Sequence, residues 1–126
     1  MCGIAGVFAF APTRAADGRL AAAMADRIAH RGPDGSGVRV GRGYALSHRR
    51  LAIVDVAGGA QPMGTPDERL WLTFNGEIYN YLELRAELEA KGVVFRTRSD
   101  TEVVLHGYRV WGTALAERLR GMFAFV

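Results

Sequence analysis

Cysteine, lysine and long apolar runs are scarce or missing in this chain of 126 residues. Cys2 is the only cysteine and Lys91 is the only lysine. A single cysteine excludes an internal disulfide and a cysteine-based metal cluster. No apolar run approaches the roughly 18 residues of a membrane span, and residues 1–10 lack the basic segment of a secretion signal. We therefore expect a cytoplasmic protein with no membrane partner, in a compartment where a thiol stays reduced.

Charge of one sign is not concentrated anywhere either. The chain has 16 basic residues and 13 acidic ones, which gives a net charge of +3. The densest basic cluster is the pair Arg49 and Arg50, and no predicted helix has a basic face. This distribution is typical of a solvated surface and predicts no nucleic-acid partner. The three histidines, His30, His48 and His106, are far apart and lack companion ligands, so no metal site is predicted.

The apolar pattern predicts a mixture of strands and helices, and hence an α+β domain. Strands are predicted over residues 4–10, 44–48, 51–54, 70–74, 93–95 and 122–126. Helices are predicted from Asp17 to about residue 30, from Asn80 to Gly92, from a capping box at residues 99–102 onwards, and over residues 114–119. On the first helix we expect the buried face to carry Leu20, Met24 and Ile28. The glycines at positions 35 and 37 predict a flexible loop.

Cys2 is the strongest candidate for a catalytic residue. If Met1 is removed, Cys2 carries a thiol and a free α-amino group, so a nucleophile and a base share one residue. The thiolate is the reactive form of cysteine. An α-amino group is partly unprotonated near neutral pH and can take the thiol proton directly or through a water. Considered alone, Cys2 also fits a small apolar side chain at the start of a strand, and both interpretations stand at this point.

Four motifs follow the Cys-Gly-Ile sequence at positions 2–4. They are HRGPDG from His30, SHRRLAIVD from Ser47, FNGEIYN from Phe74 and SDTE from Ser99. With these motifs in this order, the chain resembles the glutaminase domain of glutamine-hydrolysing asparagine synthetases. Those domains are class II glutamine amidotransferases with the N-terminal-nucleophile hydrolase fold. The resemblance extends over residues 2–126.

The resemblance implies a four-layer αββα sandwich for residues 2–126. Domains of this family continue well beyond the position of Val126 and then join a synthetase domain with an ATP-pyrophosphatase loop. We therefore expect a glutaminase domain that is truncated at its C-terminus, with the synthetase domain absent. No cofactor is expected in this chain, because MgATP would belong to the absent synthetase domain.

The resemblance assigns catalytic roles to Cys2, Asn75 and Gly76. Cys2 would attack the side-chain amide of glutamine, and its α-amine would move the proton. Asn75 and Gly76 would donate hydrogen bonds to the oxyanion from a side-chain amide and a backbone N–H. From the residue types alone, Asn-Gly is also a favoured dipeptide of a tight hairpin turn. The turn and the oxyanion hole are both open interpretations here.

Five further residues are assigned by the resemblance to the amino-acid end of the substrate. Arg50 would pair with the α-carboxylate, because guanidinium and carboxylate groups form bidentate pairs. Glu77 and Asp100 would pair with the α-ammonium, and Ile53 and Val54 would offer backbone contacts. By residue type alone, Asp100 also fits an acid in the first turn of a helix, and Glu77 fits an exposed surface position.

Together, these assignments imply a domain that hydrolyses L-glutamine to glutamate and ammonia through a cysteine thioester. The ammonia would pass to an asparagine synthetase domain in cis, and a homodimer is a compatible assembly of the full enzyme. One alternative is an amidotransferase of another amide-forming or exopolysaccharide pathway, because the absent domain chooses the ammonia acceptor. Another is a catalytically silent regulatory domain, although the intact set of site residues argues against it.

Overall fold

The computed structural model describes residues 1–11 and 15–126 of the chain. Its strands are β1 (Gly3–Phe8), β2 (Gly35–Gly41), β3 (Tyr44–Arg50), β4 (Met63–Gly64), β5 (Trp71–Leu72), β6 (Phe74–Ile78) and β7 (Gly121–Phe125). Its helices are α1 (Gly18–Arg27), α2 (Tyr81–Ala90), α3 (Asp100–Trp111) and the short α4 (Leu115–Arg118), with 3₁₀ turns over Ala29–Arg31 and Gly112–Ala114. No helix within these described ranges is long and apolar enough to cross a membrane.

β3 is the central strand of an antiparallel sheet with the order β1–β3–β2. Successive side chains of a strand point to opposite faces of the sheet. Ala45 of β3 belongs to a small apolar cluster with Ala21 of α1, so this face is covered by the first helix. His48 points to the other face, where its Nδ1 lies 3.1 Å from Oγ1 of Thr73. The two faces of β3 therefore serve two different layers of the molecule.

β6 and β7 form a second antiparallel sheet, and the main apolar core packs between this sheet and helices α2 and α3. The most deeply buried members of this core are Phe74, Ile78, Leu84, Leu88, Val103, Val104 and Leu115. Helix α1, the β1–β3–β2 sheet, the β6–β7 sheet and the α2–α3 pair thus follow one another in αββα order. The expected fold class is confirmed.

The helix starts agree with the predicted positions, although one of them is capped differently. Asp17 accepts hydrogen bonds at the start of α1, and Ser99 does the same at the start of α3. Asn80 precedes α2 as expected, but its side chain does not cap that helix. It donates to the carbonyl of Arg118 and accepts from the backbone N–H of Arg120 instead. Asn80 therefore connects α2 to the segment that leads into β7.

Two of the three residues expected on the buried face of α1 are exposed, and only Ile28 is half-buried, beside Gly3. Leu20 and Met24 are 49% and 39% exposed, whereas Ala21 and Ala25 are buried. Ala21 packs in one small cluster with Ala45 of β3, and these small side chains let the helix lie close to the strand at this point. Spacing alone favoured the large apolar residues at positions 20, 24 and 28, and the packing of Ala21 and Ala25 on the covered side makes the prediction wrong at positions 20 and 24.

Residues 51–54 and 93–95 do not form the predicted strands. After β3 ends, the N–H of Leu51 points to Sγ of Cys2 at 3.3 Å, and the N–H of Ala52 donates to Asp34 at 2.9 Å. These donors are used by side chains, so no strand ladder can form. The N–H of Val93 is likewise used by the end of α2, where it donates to the carbonyl of Leu88.

The glycine-rich segment at residues 35–37 is a strand and not the predicted flexible loop. It begins β2, in which Gly35 pairs with Arg50 and Gly37 pairs with His48. A Cβ atom at position 37 would collide with the carbonyl oxygen of Gln61. Glycine is needed here for a close backbone approach and not for mobility.

Candidate active site

An open cleft of about 150 Å³ lies where the ends of β1, β3 and β6 meet the start of α3. Seven of the eight residues singled out from the sequence line this cleft, namely Cys2, Arg50, Ile53, Val54, Gly76, Glu77 and Asp100. The remaining lining residues are Met1, Leu51, Gly59, Gln61, Phe74, Ser99, Thr101 and Met122. The fold therefore brings together residues from four distant parts of the chain around one nucleophile.

Cys2 lies one residue before β1 and is partly exposed to the cleft. The pairing of Gly3 with Arg49 places it beside Leu51, the first residue after β3. The backbone N–H of Leu51 donates to Sγ at 3.3 Å. Nε of Arg31 donates to the Cys2 carbonyl at 3.0 Å. The thiol is thus held at the cleft by main-chain contacts, with a donor positioned to stabilise a thiolate.

Arg50 is held by the loop that follows β3. Its Nη1 donates to the carbonyl of Val56 at 2.7 Å, and its Nη2 donates to the carbonyl of Asp55 at 2.6 Å. A Cβ atom at Gly59 would collide with Nη2. The guanidinium therefore occupies one orientation at the cleft wall, with its charge unpaired by any carboxylate among the described residues. Such a group can receive a carboxylate from a ligand.

Asp100 and Glu77 add negative charge to the same cleft. Asp100 is buried at the first position of α3, and its Oδ2 accepts from the N–H of Ile78 at 3.1 Å. Burial raises the pKa of the Asp100 carboxyl above its usual value, and the nearby Glu77 carboxylate raises it further. Glu77 itself is exposed. A cationic ligand between the two acids would relieve both the burial cost and their mutual repulsion.

Asn75 and Gly76 lie inside β6, where they pair with Ala124 and Phe123 of β7. The hairpin-turn interpretation of this dipeptide is therefore wrong. Gly76 lines the cleft, and a Cβ atom there would collide with the carbonyl oxygen of Met122. Asn75 is not among the lining residues, and its Oδ1 is buried without a hydrogen-bond partner among the described residues. A polar side-chain atom thus remains unsatisfied beside the cleft.

Glu102 supports the segment that leads to Asp100. Its carboxylate accepts from the N–H groups of Arg96 at 3.0 Å and Thr97 at 2.7 Å. Burial pushes the pKa of Glu102 upwards, but these hydrogen bonds outweigh it and hold the pKa below its usual value. The predicted capping box is not formed, because Glu102 bonds back to residues 96 and 97 and not to Ser99, and Ser99 caps the helix through the N–H of Thr101.

Gln61 is a cleft residue that sequence reasoning missed. Its Oε1 accepts from the N–H of Phe74 at 2.7 Å, and its Nε2 donates to Oγ1 of Thr101 at 3.2 Å. It therefore joins the start of β6 to the start of α3. No local pattern around residue 61 could indicate this, because both partners are distant along the chain.

The sequence profile of the glutamine amidotransferase domain matches residues 1–126. The chain belongs to this glutamine amidotransferase family. Among its relatives, the glutamine-hydrolyzing asparagine synthetase 1 of Bacillus subtilis is 51% identical over 128 residues, which cover 100% of this chain and 20% of the relative. The glutamine-hydrolyzing asparagine synthetase 2 of Oryza sativa subsp. japonica is 44% identical over 126 residues, which cover 100% of this chain and 21% of the relative. The chain thus spans about a fifth of the length of these relatives.

Solved structures show the same fold at lower sequence identity. The glutamine phosphoribosylpyrophosphate amidotransferase from B. subtilis, complexed with ADP and GMP, superposes with a TM-score of 0.76 at 21% identity. An allosteric regulatory enzyme of purine biosynthesis gives the same TM-score at 23% identity. Each match covers 97% of this chain and 34% of the other. The amidotransferase domain described here therefore has the N-terminal-nucleophile hydrolase fold.

Proposed function

We propose that this domain hydrolyses L-glutamine to glutamate and ammonia, with Cys2 as the nucleophile. The observation that carries the proposal is that the thiol of Cys2, the guanidinium of Arg50 and the carboxylates of Glu77 and Asp100 line one cleft. Glutamine has a side-chain amide that Cys2 can attack, an α-carboxylate that Arg50 can bind, and an α-ammonium that the two acids can bind. Family membership supports the same activity.

The reaction requires that Met1 be removed, so that Cys2 has a free α-amine. That amine takes the thiol proton, and Sγ attacks the side-chain carbonyl carbon of glutamine to form a tetrahedral oxyanion. The carbon–nitrogen bond then breaks, and the α-ammonium returns its proton to the leaving ammonia. A γ-glutamyl thioester remains on Cys2. Water cleaves this thioester to glutamate and restores the thiol.

Two groups of β6 are proposed to stabilise the oxyanion. Gly76 offers a backbone N–H at the cleft, and Asn75 offers a side-chain amide beside it. Donors fixed in a strand need no reorganisation when the charge develops, which makes them effective in the transition state. The close approach of β7 to Gly76 supports this role, because it keeps the strand in one position.

The substrate clamp is proposed to use one cation and two anions. Arg50 binds the α-carboxylate, Glu77 and Asp100 bind the α-ammonium, and Ile53 and Val54 contact the substrate through their backbone. Charge-assisted hydrogen bonds of this kind are stronger than neutral ones. They select an amide whose far end is an amino acid.

In the whole protein, we propose that the ammonia is passed to a synthetase domain in cis. The relatives that support this are named glutamine-hydrolyzing asparagine synthetases and are about five times the length of this chain. Aspartate would be the acceptor and MgATP would be needed only by that second domain. A homodimer and a cytoplasmic location belong to the same proposal.

Glutamate release measured on the purified protein tests the glutaminase proposal. The wild-type protein should release glutamate and ammonia in equal amounts, and hydroxylamine should intercept the thioester as a γ-glutamyl hydroxamate. Cys2→Ala should abolish both products without lowering the melting temperature. Arg42→Ala provides a surface control that should keep full activity. Glutamate release by Cys2→Ala at the wild-type rate would contradict the proposed mechanism.

A further inference from the structure

Asp55 connects the loop that holds the positively charged Arg50 to the segment that leads to the negatively charged Asp100. It is half-buried in the loop after β3. Its Oδ1 accepts from the N–H of Gly58 at 2.9 Å, within the same loop. Its Oδ2 accepts from the N–H of Arg98 at 2.7 Å, across to the segment that leads into α3. One carboxylate therefore bonds both the loop that holds Arg50 and the segment that holds Asp100.

The main chain of Asp55 also contributes to this connection. Its carbonyl oxygen accepts from Nη2 of Arg50 at 2.6 Å and from the N–H of Gly59 at 3.0 Å. The guanidinium is thus oriented by the backbone of the residue whose side chain bonds Arg98. Any shift of the Asp55 backbone moves the acceptor on which Arg50 depends.

The backbone of Asp55 has a φ of 48°, in the left-handed region. Non-glycine residues rarely adopt this conformation, and aspartate does so when its short side chain bonds locally. Hydrogen bonds from the backbone N–H groups of Arg98 and Gly58 hold the pKa of the Asp55 carboxyl below its usual range. Both oxygens are therefore acceptors at neutral pH. The side-chain bonds stabilise the turn that presents the carbonyl to Arg50.

We propose that Asp55 is a positioning residue that fixes the distance between Arg50 and Asp100 and thereby the fit of the amino-acid end of the substrate. The proposal rests on the proposed glutaminase function. Asp55 does not line the cleft and takes no part in the chemistry at Cys2. Its loss should weaken the binding of the α-carboxylate and the α-ammonium without changing the reactivity of the thiol.

Steady-state glutaminase kinetics of Asp55→Ala and Asp55→Asn test this proposal. Asp55→Ala should raise the KM for glutamine about tenfold or more, because a charged acceptor of two N–H groups is lost. The kcat should stay within about threefold of wild type. Asp55→Asn keeps one acceptor oxygen, so its KM should lie between those of wild type and Asp55→Ala. Asp67→Ala is the matched control, since Asp67 holds a different turn through Thr65 and Arg69 and should leave both constants unchanged.

Alkylation of Cys2 separates positioning from general loss of structure. Iodoacetamide has no amino-acid end, so it should label Asp55→Ala and wild type at equal rates. The glutamine analogue 6-diazo-5-oxo-norleucine has that end and should label Asp55→Ala more slowly. A wild-type KM in Asp55→Ala, or equal slowing by both reagents, would overturn the positioning role while the wild-type protein still hydrolyses glutamine. Absence of glutamate release from the wild-type protein would instead overturn the proposed function.

Discussion

Arg49 and Arg50 are neighbours in β3, yet their guanidinium groups lie on opposite faces of the sheet. Arg49 points to α1, where its Nε donates to the carbonyl of Ala25 at 3.3 Å and its Nη2 pairs with Asp26. Arg50 points to the cleft and bonds the carbonyls of the loop after β3. Because side chains alternate along a strand, Arg49 contacts the first helix and Arg50 lines the cleft.

Exchanging each of these arginines for alanine should have different effects. Arg50→Ala should raise the KM for glutamine by about tenfold or more, because a charge-assisted contact with the α-carboxylate is lost. Arg49→Ala should leave the KM unchanged and lower the melting temperature, because the contact between α1 and the sheet is lost. Steady-state kinetics and thermal unfolding of both variants provide the measurements. If Arg49→Ala raised the KM and Arg50→Ala did not, the proposal that Arg50 is the arginine that binds substrate would be wrong.

Activity should depend on the removal of Met1. The proposed base is the α-amine of Cys2, which exists only after that removal. Met1 also lines the cleft and would occupy part of the substrate site. Intact-mass measurement of active protein should show the loss of one methionine. Full glutaminase activity in protein that retains Met1 would exclude the α-amine as base.

Asn75→Ala should lower kcat by about 10²–10³ with little change in KM, because an oxyanion donor acts mainly in the transition state. Asn80→Ala is a matched control, since the Asn80 side chain bonds Arg118 and Arg120 outside the cleft. It should lower stability without lowering kcat. An unchanged kcat in Asn75→Ala would remove Asn75 from the oxyanion hole.

Asp100→Asn should make the protein more stable and less able to bind substrate. The pKa of Asp100 is raised by burial in the folded state, so its contribution to stability falls as pH rises from the usual carboxyl pKa to the raised value. The neutral side chain of the asparagine variant has no buried charge, so its stability does not fall over this pH range. Its melting temperature should exceed that of wild type at pH 7, and the difference should vanish near pH 3, where Asp100 is protonated in both states. The KM for glutamine should rise by about tenfold or more.

Glu117→Gln, an exposed acid on α4, is the control for this pH comparison and should show no such difference. A lower melting temperature of Asp100→Asn than of wild type at pH 7 would contradict the prediction.

His48 should make the fold sensitive to acid. Burial, and then the nearby Arg50 charge, lower the pKa of His48 from 6.5 to about 4. Between these two pH values, His48 is protonated in the unfolded chain and neutral in the folded protein. The free energy of unfolding therefore decreases as pH falls from 6.5 to about 4. The loss from this group is about 3 kcal/mol. His48→Gln should make the loss of stability in this window less steep, as measured by urea unfolding, and the buried His106, whose pKa burial also lowers, still contributes to it.

The exposed His30 supplies the comparison, since His30→Gln should leave the acid profile as in wild type. An equally steep loss of stability in His48→Gln would show that other groups control the acid transition.

The apolar pattern predicted a mixture of helices and strands, whereas the αββα order of the layers was predicted from the motifs and not from periodicity. The helices that begin after Asp17 and Ser99 were found by local signals, because their caps act within a few residues. The start of α2 was also predicted correctly, although the Asn80 side chain does not cap it. Residues 51–54 looked like a strand by the same rules. Their N–H groups bond Cys2 and Asp34, which lie 49 and 18 residues away, and no local rule can anticipate such partners.

The candidate site was found where residue type and motif coincide, as at Cys2 and Arg50. Gln61 was missed, and Asp55 was quoted in the SHRRLAIVD motif without a role, for the same physical reason. Each acts through hydrogen bonds to groups that arrive from another segment, so the residue type alone carries no signal. Gln61 reaches residues 74 and 101, and Asp55 reaches residue 98.

The antiparallel pairing of Gly3 with Arg49 has a consequence for the length of substrate that the cleft can accept. It sets the spacing between the nucleophile on the β1 side and the guanidinium at the end of β3. A slip of one residue would turn every side chain of the strand to the other face, and a slip of two would move the strand by about 7 Å. The spacing therefore changes only in coarse steps. If Arg50 holds the α-carboxylate as proposed, we expect an amide one methylene shorter than glutamine to place its carbonyl carbon too far from Sγ of Cys2 for attack.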